Sequence, residues 1–135
     1  MALINWSESL RVGIAEIDGQ HRRLLELGKE LAEAKAAGKS PDELNRLRGG
    51  LVDQTLLHFA TEEKLFAEYG YPEAAAHAAE HKRIALQLRQ IHARMVGGAD
   101  VPDEEVMKFQ QEWVRDHIQG FDKKFGQWAV AHGLR

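Results

Sequence analysis

Two pairs of metal-binding side chains stand four residues apart on this chain, His58 with Glu62 and His77 with His81, and three more donors, His21, His117 and Asp122, lie on other stretches. On an α-helix, residues four apart are separated by only about 40° around the axis and about 6 Å along it, so each pair reaches the same side. A fold that uses this spacing must carry four separate lengths of chain to one point.

Those four lengths are visible as apolar residues at helical period, divided by short connections rich in Gly and Pro. The expected architecture is all-α: an up-down-up-down antiparallel four-helix bundle with an extended N-terminal arm over 1–17. One domain is expected over 1–135, with helices at about 18–37, 41–69, 72–96 and 102–131. The first helix begins near Asp18, carries Leu24, Leu25, Leu27 and Leu31, and ends at Gly38. Ser40-Pro41-Asp42-Glu43 is the clearest start, because Ser can cap, Pro suits the first helical position and Glu three residues after Ser can complete a capping box. Gly70-Tyr71-Pro72 and Gly97-Gly98 mark the next two breaks, and the fourth helix opens around Pro102-Asp103-Glu104. Trp6, Val12, Ile14 and Ile17 lie in the aperiodic start and are read as arm residues packed on the body.

In such a bundle the first and third helices run one way and the second and fourth the other. His21 then lies near the start of the first, Glu62 near the end of the second, His77 near the start of the third and Asp122 toward the end of the fourth, all at the same end. Burying five histidines and two carboxylates together without metal would leave many polar groups to satisfy, so the seven are read as one metal centre. His92 and His132 have no donor partner at helical spacing and are read as surface residues. Glu63 and Glu80, beside site positions, are read as solvated carboxylates.

The chain has 135 residues, 44% of them hydrophobic, enough to bury a core. Its lack of cysteine excludes disulfides, thiolate zinc sites and cysteine-bound iron–sulfur clusters, so any metal is held by nitrogen and oxygen. No apolar run approaches the roughly 18 residues needed to cross a bilayer, and Met1–Glu8 has neither a basic start nor a long apolar segment; a soluble, cytoplasmic chain without membrane insertion is expected. A formal net charge of -3 with Lys and Arg spread along the chain gives no basic stripe, which argues against nucleic acid as a partner. No unusual apolar patch is readable, and a monomer is expected.

Imidazole with carboxylate suits iron, zinc, copper and nickel, whereas magnesium and calcium prefer oxygen alone. Five terminal nitrogens and two bridging carboxylates fill nine coordination positions and one shared solvent oxygen fills two more, eleven of the twelve that two six-coordinate ions offer. One position stays open, enough for one small molecule end-on. Two tetrahedral zinc ions offer only eight positions, so a dinuclear iron centre fits best. Four carboxylates, as in the carboxylate-rich di-iron bundles, would favour highly oxidised iron; with two, binding is favoured over oxidation of substrates, and an enzyme is not expected. One local problem remains: His117 and Asp122 are five residues apart, about 140° around a regular helix, so a π-bulge or bend is predicted between them, with Gly120 as a permissive residue.

The chain resembles the hemerythrin family in its single-domain bacterial form, over nearly its whole length. The matching elements are Trp6, Val12-Gly13-Ile14, Ile17-Asp18-Gly19-Gln20-His21, His58-Phe59-Ala60-Thr61-Glu62, His77-Ala78-Ala79-Glu80-His81, and Trp113 followed by His117-Ile118 and Asp122. The resemblance implies two non-haem irons bridged by Glu62, Asp122 and an oxo or hydroxo group, with His77, His81 and His117 on the coordinatively full iron and His21 and His58 on the other. It implies reversible O2 binding for oxygen storage, transport or delivery, with O2 and an O2-consuming enzyme as partners. A di-iron enzyme acting on peroxide or nitric oxide, and an oxygen- or iron-sensing module, are the alternatives. Trp113, Val114 and Ile118 are expected to line the O2 pocket. Two departures stand out: Val114 where family members often have leucine, which opens the pocket, and Phe125 where many have tyrosine, which removes a hydrogen bond near the site.

Overall fold

Apolar stripes on four helical lengths can be buried only against one another. The computed structural model, which describes residues 5–98, 101 and 103–135, shows the four-helix bundle that results, running up, down, up, down. α1 spans Ala15–Ala36, α2 Pro41–Tyr69 and α3 Ala74–Val96. The fourth rod is continuous but composite: α4 over Asp103–Glu112, a π-helical segment over Trp113–Asp122, and α5 over Lys123–Ala131. Met1–Ile4 of the arm and Pro102, expected to open the last helix, lie outside the described residues.

The local chemistry explains the helix ends. Ser40 Oγ accepts from the Glu43 N–H at 3.2 Å with Pro41 at the first helical position, while the Glu43 carboxylate turns to Arg46 Nε at 3.0 Å instead of returning to the cap. α2 stops at Gly70, whose φ of 68° is left-handed and lets the Tyr71 N–H reach Phe66 O at 3.0 Å. α3 begins at Ala74, whose N–H bonds Tyr71 O at 3.2 Å, so Pro72 and Glu73 belong to the turn.

The arm is shorter than expected, and the reason is Asp18. α1 starts at Ala15, and the Asp18 N–H already bonds Ile14 O at 2.9 Å inside the helix. Its carboxylate therefore does not cap a helix start. It reaches back to the N–H groups of Val12 at 2.8 Å and Gly13 at 3.2 Å and ties the arm to the body. The arm adds a 3-10 turn at Glu8–Leu10 and buries Leu10, Val12 and Ile14. Where it crosses α5 the backbones nearly touch: a Cβ on Gly126 would lie 2.2 Å from Val12 O.

Two apolar layers form the core. One contains Leu10, Leu24, Leu25, Phe59, Ile84, Trp113, Val114 and Ile118; the other contains Val12, Ile14, Ile17, Phe66, Tyr71, Phe125 and Ala129. Along the chain His21 falls between Ile17 of the second layer and Leu24 of the first, Glu62 between Phe59 and Phe66, and Asp122 between Ile118 and Phe125. Gly126→Ala must push the arm off α5 and is expected to cost about 1–3 kcal/mol in denaturant unfolding. Gly120→Ala, where a Cβ meets nothing within 4 Å, is expected to stay within about 0.5 kcal/mol of the parent; equal effects at the two positions would disprove this account of the arm.

Candidate metal centre

All seven donors are brought together, and all are buried: His21, His58, Glu62, His77, His81, His117 and Asp122 are each no more than 2% exposed. α1 presents His21, α2 His58 and Glu62, α3 His77 and His81, and the π segment His117 and Asp122. The π segment solves the five-residue problem of the last pair. Backbone bonding there runs five residues back, as from the Lys123 N–H to Ile118 O, so residues five apart come round to one side. The segment is wider than the single bulge predicted between these two residues, extending back to Trp113.

The carboxylate of Asp122 divides the histidines. Its Oδ1 lies 2.9 Å from Nε2 of both His77 and His117, and its Oδ2 lies 2.6 Å from His21 Nε2 and 3.2 Å from His58 Nε2. Glu62 Oε1 lies 3.1 Å from Nε2 of both His58 and His81 and 3.6 Å from His77 Nε2. Two sets of donor atoms suited to a cation emerge, Glu62, His77, His81, His117 and Asp122 in one and His21, His58 and Asp122 in the other, each within 4.8 Å. Asp122 belongs to both.

The polar atoms fit a metal better than they fit one another. His117 Nε2 is at ion-pair distance from Asp122 yet out of hydrogen-bond alignment, and Glu62 Oε2 is buried with no hydrogen-bond partner among the described residues. The Nε2 atoms of His21 and His58 face each other at 3.1 Å, a contact between two nitrogen lone pairs unless a cation or proton lies there. Without metal, protons do that work. Burial opposes the charged form of His58, but the Glu62 charge and hydrogen bonds to Asp122 and Glu62 raise its pKa to about 10; His117 is likewise raised to about 9 against burial by Asp122 and Glu62. Burial and the Asp122 charge push Glu62 upward, yet His58 and His117 hold it at about 2, and Asp122 is held well below its ordinary value by His117, His21 and His58 against its own burial.

The apolar wall is formed by Trp113, whose ring centroid is 4.7 Å from His117 and 5.9 Å from both His21 and His58, with Val114 and Ile118 buried beside it. Phe125 is fully enclosed, 4.7 Å from Phe66 and 4.9 Å from Tyr71 between ring centroids. Glu63 corrects the sequence expectation: it is not merely solvated, because its Oε2 lies 3.3 Å from His81 Nδ1. Gln20, which stands in the run before His21 but is given no role from the sequence, has its Oε1 2.8 Å from His58 Nδ1. Neither contact has a local signal, since each joins residues on different helices; only adjacency to His21 and Glu62 hints at them. The Nδ1 atoms of His21, His77 and His117 are buried without hydrogen-bond partners among the described residues. His132 is exposed and stacks on Trp128, whereas His92 is half-buried rather than a surface residue.

The sequence profile of the Hemerythrin HHE cation binding domain matches residues 12–129. A bacteriohemerythrin of Stenotrophomonas maltophilia (strain R551-3) is 36% identical over 138 aligned positions, covering 98% of this chain and 85% of that protein. One from Methylococcus capsulatus (strain ATCC 33009 / NCIMB 11132 / Bath) is 28% identical, covering 93% and 96%. A crystal structure of wild-type hemerythrin superposes with a TM-score of 0.82 at 25% identity, covering 93% of this chain and 97% of that one. With its donor layer, its bundle and these relatives, the chain belongs to the hemerythrin family.

Proposed function

We propose that this protein binds O2 reversibly, for storage, transport or delivery, at two non-haem irons held by His21, His58, Glu62, His77, His81, His117 and Asp122. The observation that carries the reading is the division made by Asp122, with His77 and His117 on one oxygen and His21 and His58 on the other. A carboxylate so placed suits a bridge between a richer and a poorer set of donors, and the poorer set leaves room for a ligand. The iron pair, when bound, supplies the electrons that O2 takes up and gives back.

The remaining work belongs to the side chains. Five imidazoles and only two carboxylates keep the centre from accumulating negative charge. Trp113, Val114 and Ile118 wall it with apolar surface and keep water from bringing protons to it. The buried Thr55 hydroxyl, which shares a cavity with Trp113 and Ile118, is spent on Leu51 O at 2.8 Å. Val114 also lines an open cleft shared with Leu10 and Ser9 of the arm, which supports reading it as a residue on the approach to the centre.

Anaerobic reduction of iron-loaded protein followed by O2 should give a visible charge-transfer band that disappears on deoxygenation, with about two irons per chain. Steady consumption of O2 or peroxide with a reductant, and no reversible band, would favour an enzyme. Val114→Leu should slow autoxidation of the oxygenated protein by narrowing that approach; an equal or faster rate in the variant contradicts this role. The metal-free protein should respond to pH through its buried charges. His58 and His117, raised from 6.5 to about 10 and about 9, contribute stability that is complete below about pH 6.5 and lost as pH rises through those values. Glu62 contributes above its ordinary value and loses that contribution as pH falls toward about 2, and Asp122, also held below its ordinary value, acts in the same sense. Denaturant unfolding with chelator present should therefore weaken from pH 6.5 to 10, and iron loading, which replaces those protons, should flatten the dependence.

A further inference from the structure

We propose that Gln20 and Thr61 form a positioning relay that fixes His58 with its proton on Nδ1 and its Nε2 lone pair turned into the donor layer. This rests on the reading of these histidines as metal ligands. The chain of contacts has one consistent direction. The Thr61 hydroxyl donates to Leu57 O, one helical turn earlier in α2, at 2.9 Å. Its single proton is thereby used, so Thr61 Oγ1 accepts from Gln20 Nε2, at 3.0 Å. With its amide nitrogen committed, Gln20 can turn only its carbonyl Oε1 toward His58 Nδ1, at 2.8 Å, and an oxygen there requires an N–H on the ring. The opposite nitrogen, Nε2, faces Asp122 Oδ2 at 3.2 Å and Glu62 Oε1 at 3.1 Å, where a metal ligand has to point.

The relay also clasps two helices. Gln20 lies on α1 next to His21, whereas His58 and Thr61 are on α2, so the one amide registers the helices that provide both histidines of the smaller donor set. The larger set is held differently. His81 has the carboxylate of Glu63 on its Nδ1 at 3.3 Å, a charged acceptor, against the neutral amide on His58. A charged acceptor makes an imidazole a stronger donor than a neutral one does, so these outer contacts make the two halves of the centre unequal beyond their ligand count.

Titration of metal-free protein with cobalt(II), read by calorimetry and by the visible cobalt bands, separates the halves. Wild type should take two equivalents, the larger donor set filling first. Gln20→Leu should leave the first nearly unchanged and weaken the second about 10- to 100-fold. Thr61→Val should weaken it by a smaller factor and speed solvent exchange of the His58 Nδ1–H resonance in the cobalt protein, and Thr61→Ser should restore both; a merely structural role would not move that resonance. Thr61→Val makes the same comparison if Gln20→Leu does not fold. Two equivalents in wild type with no selective loss in the variants, or with both equivalents weakened alike, overturns the relay alone. Uptake of a single equivalent by wild type overturns the two-metal reading and the relay with it.

Discussion

Two buried carboxylates shared among five buried imidazoles set the terms for everything else in this molecule. A charge removed from water is costly unless opposite charge and hydrogen bonds replace the solvent, and here seven such groups lie in one layer. They are tolerable only together. Asp122 alone lies within 3.2 Å of four imidazole nitrogens, so displacing any one of its helices leaves several others without a counterpart. The layer is therefore a strong restraint on the relative height of the four rods, while the apolar layers above and below it are permissive in the way hydrophobic packing usually is.

The fourth rod shows how far backbone geometry yields to this layer. π-helical bonding is rare and occurs mostly as a single turn, yet here it is recorded over Trp113–Asp122. It brings His117 and Asp122 to the same side and at the same time turns Trp113 over three of the histidines. The departure from α geometry thus serves the candidate donors and the apolar wall at once. The arm completes the enclosure, held by Asp18 at one end and seated so tightly on α5 that Gly126 has no room for a side chain.

Much of this could be read from spacing. The pairs His58/Glu62 and His77/His81 announce their faces because helical period is a local property, and the position of each donor along its helix then places them at one end of the bundle. The conflict between His117 and Asp122 was readable for the same reason, as an angle that a regular helix cannot satisfy. What misled was chemistry with two local meanings. From the sequence Asp18 marks the approximate start of the first helix, but α1 opens at Ala15 and the Asp18 carboxylate accepts from N–H groups upstream of the helix. Glu63 resembles any exposed carboxylate beside a ligand until α3 brings His81 to it.

The sequence by itself determined the element types, the set of seven donors and the side of each helix on which they lie, because these follow from periodicities within a few residues of chain. Only the tertiary structure decided which donors share an oxygen of Asp122, which acceptors turn the rings of His58 and His81, and how long the π segment had to be. Those outcomes depend on the rotation and height of one helix against another, and such distances are set by packing between residues dozens of positions apart, for which no local pattern exists.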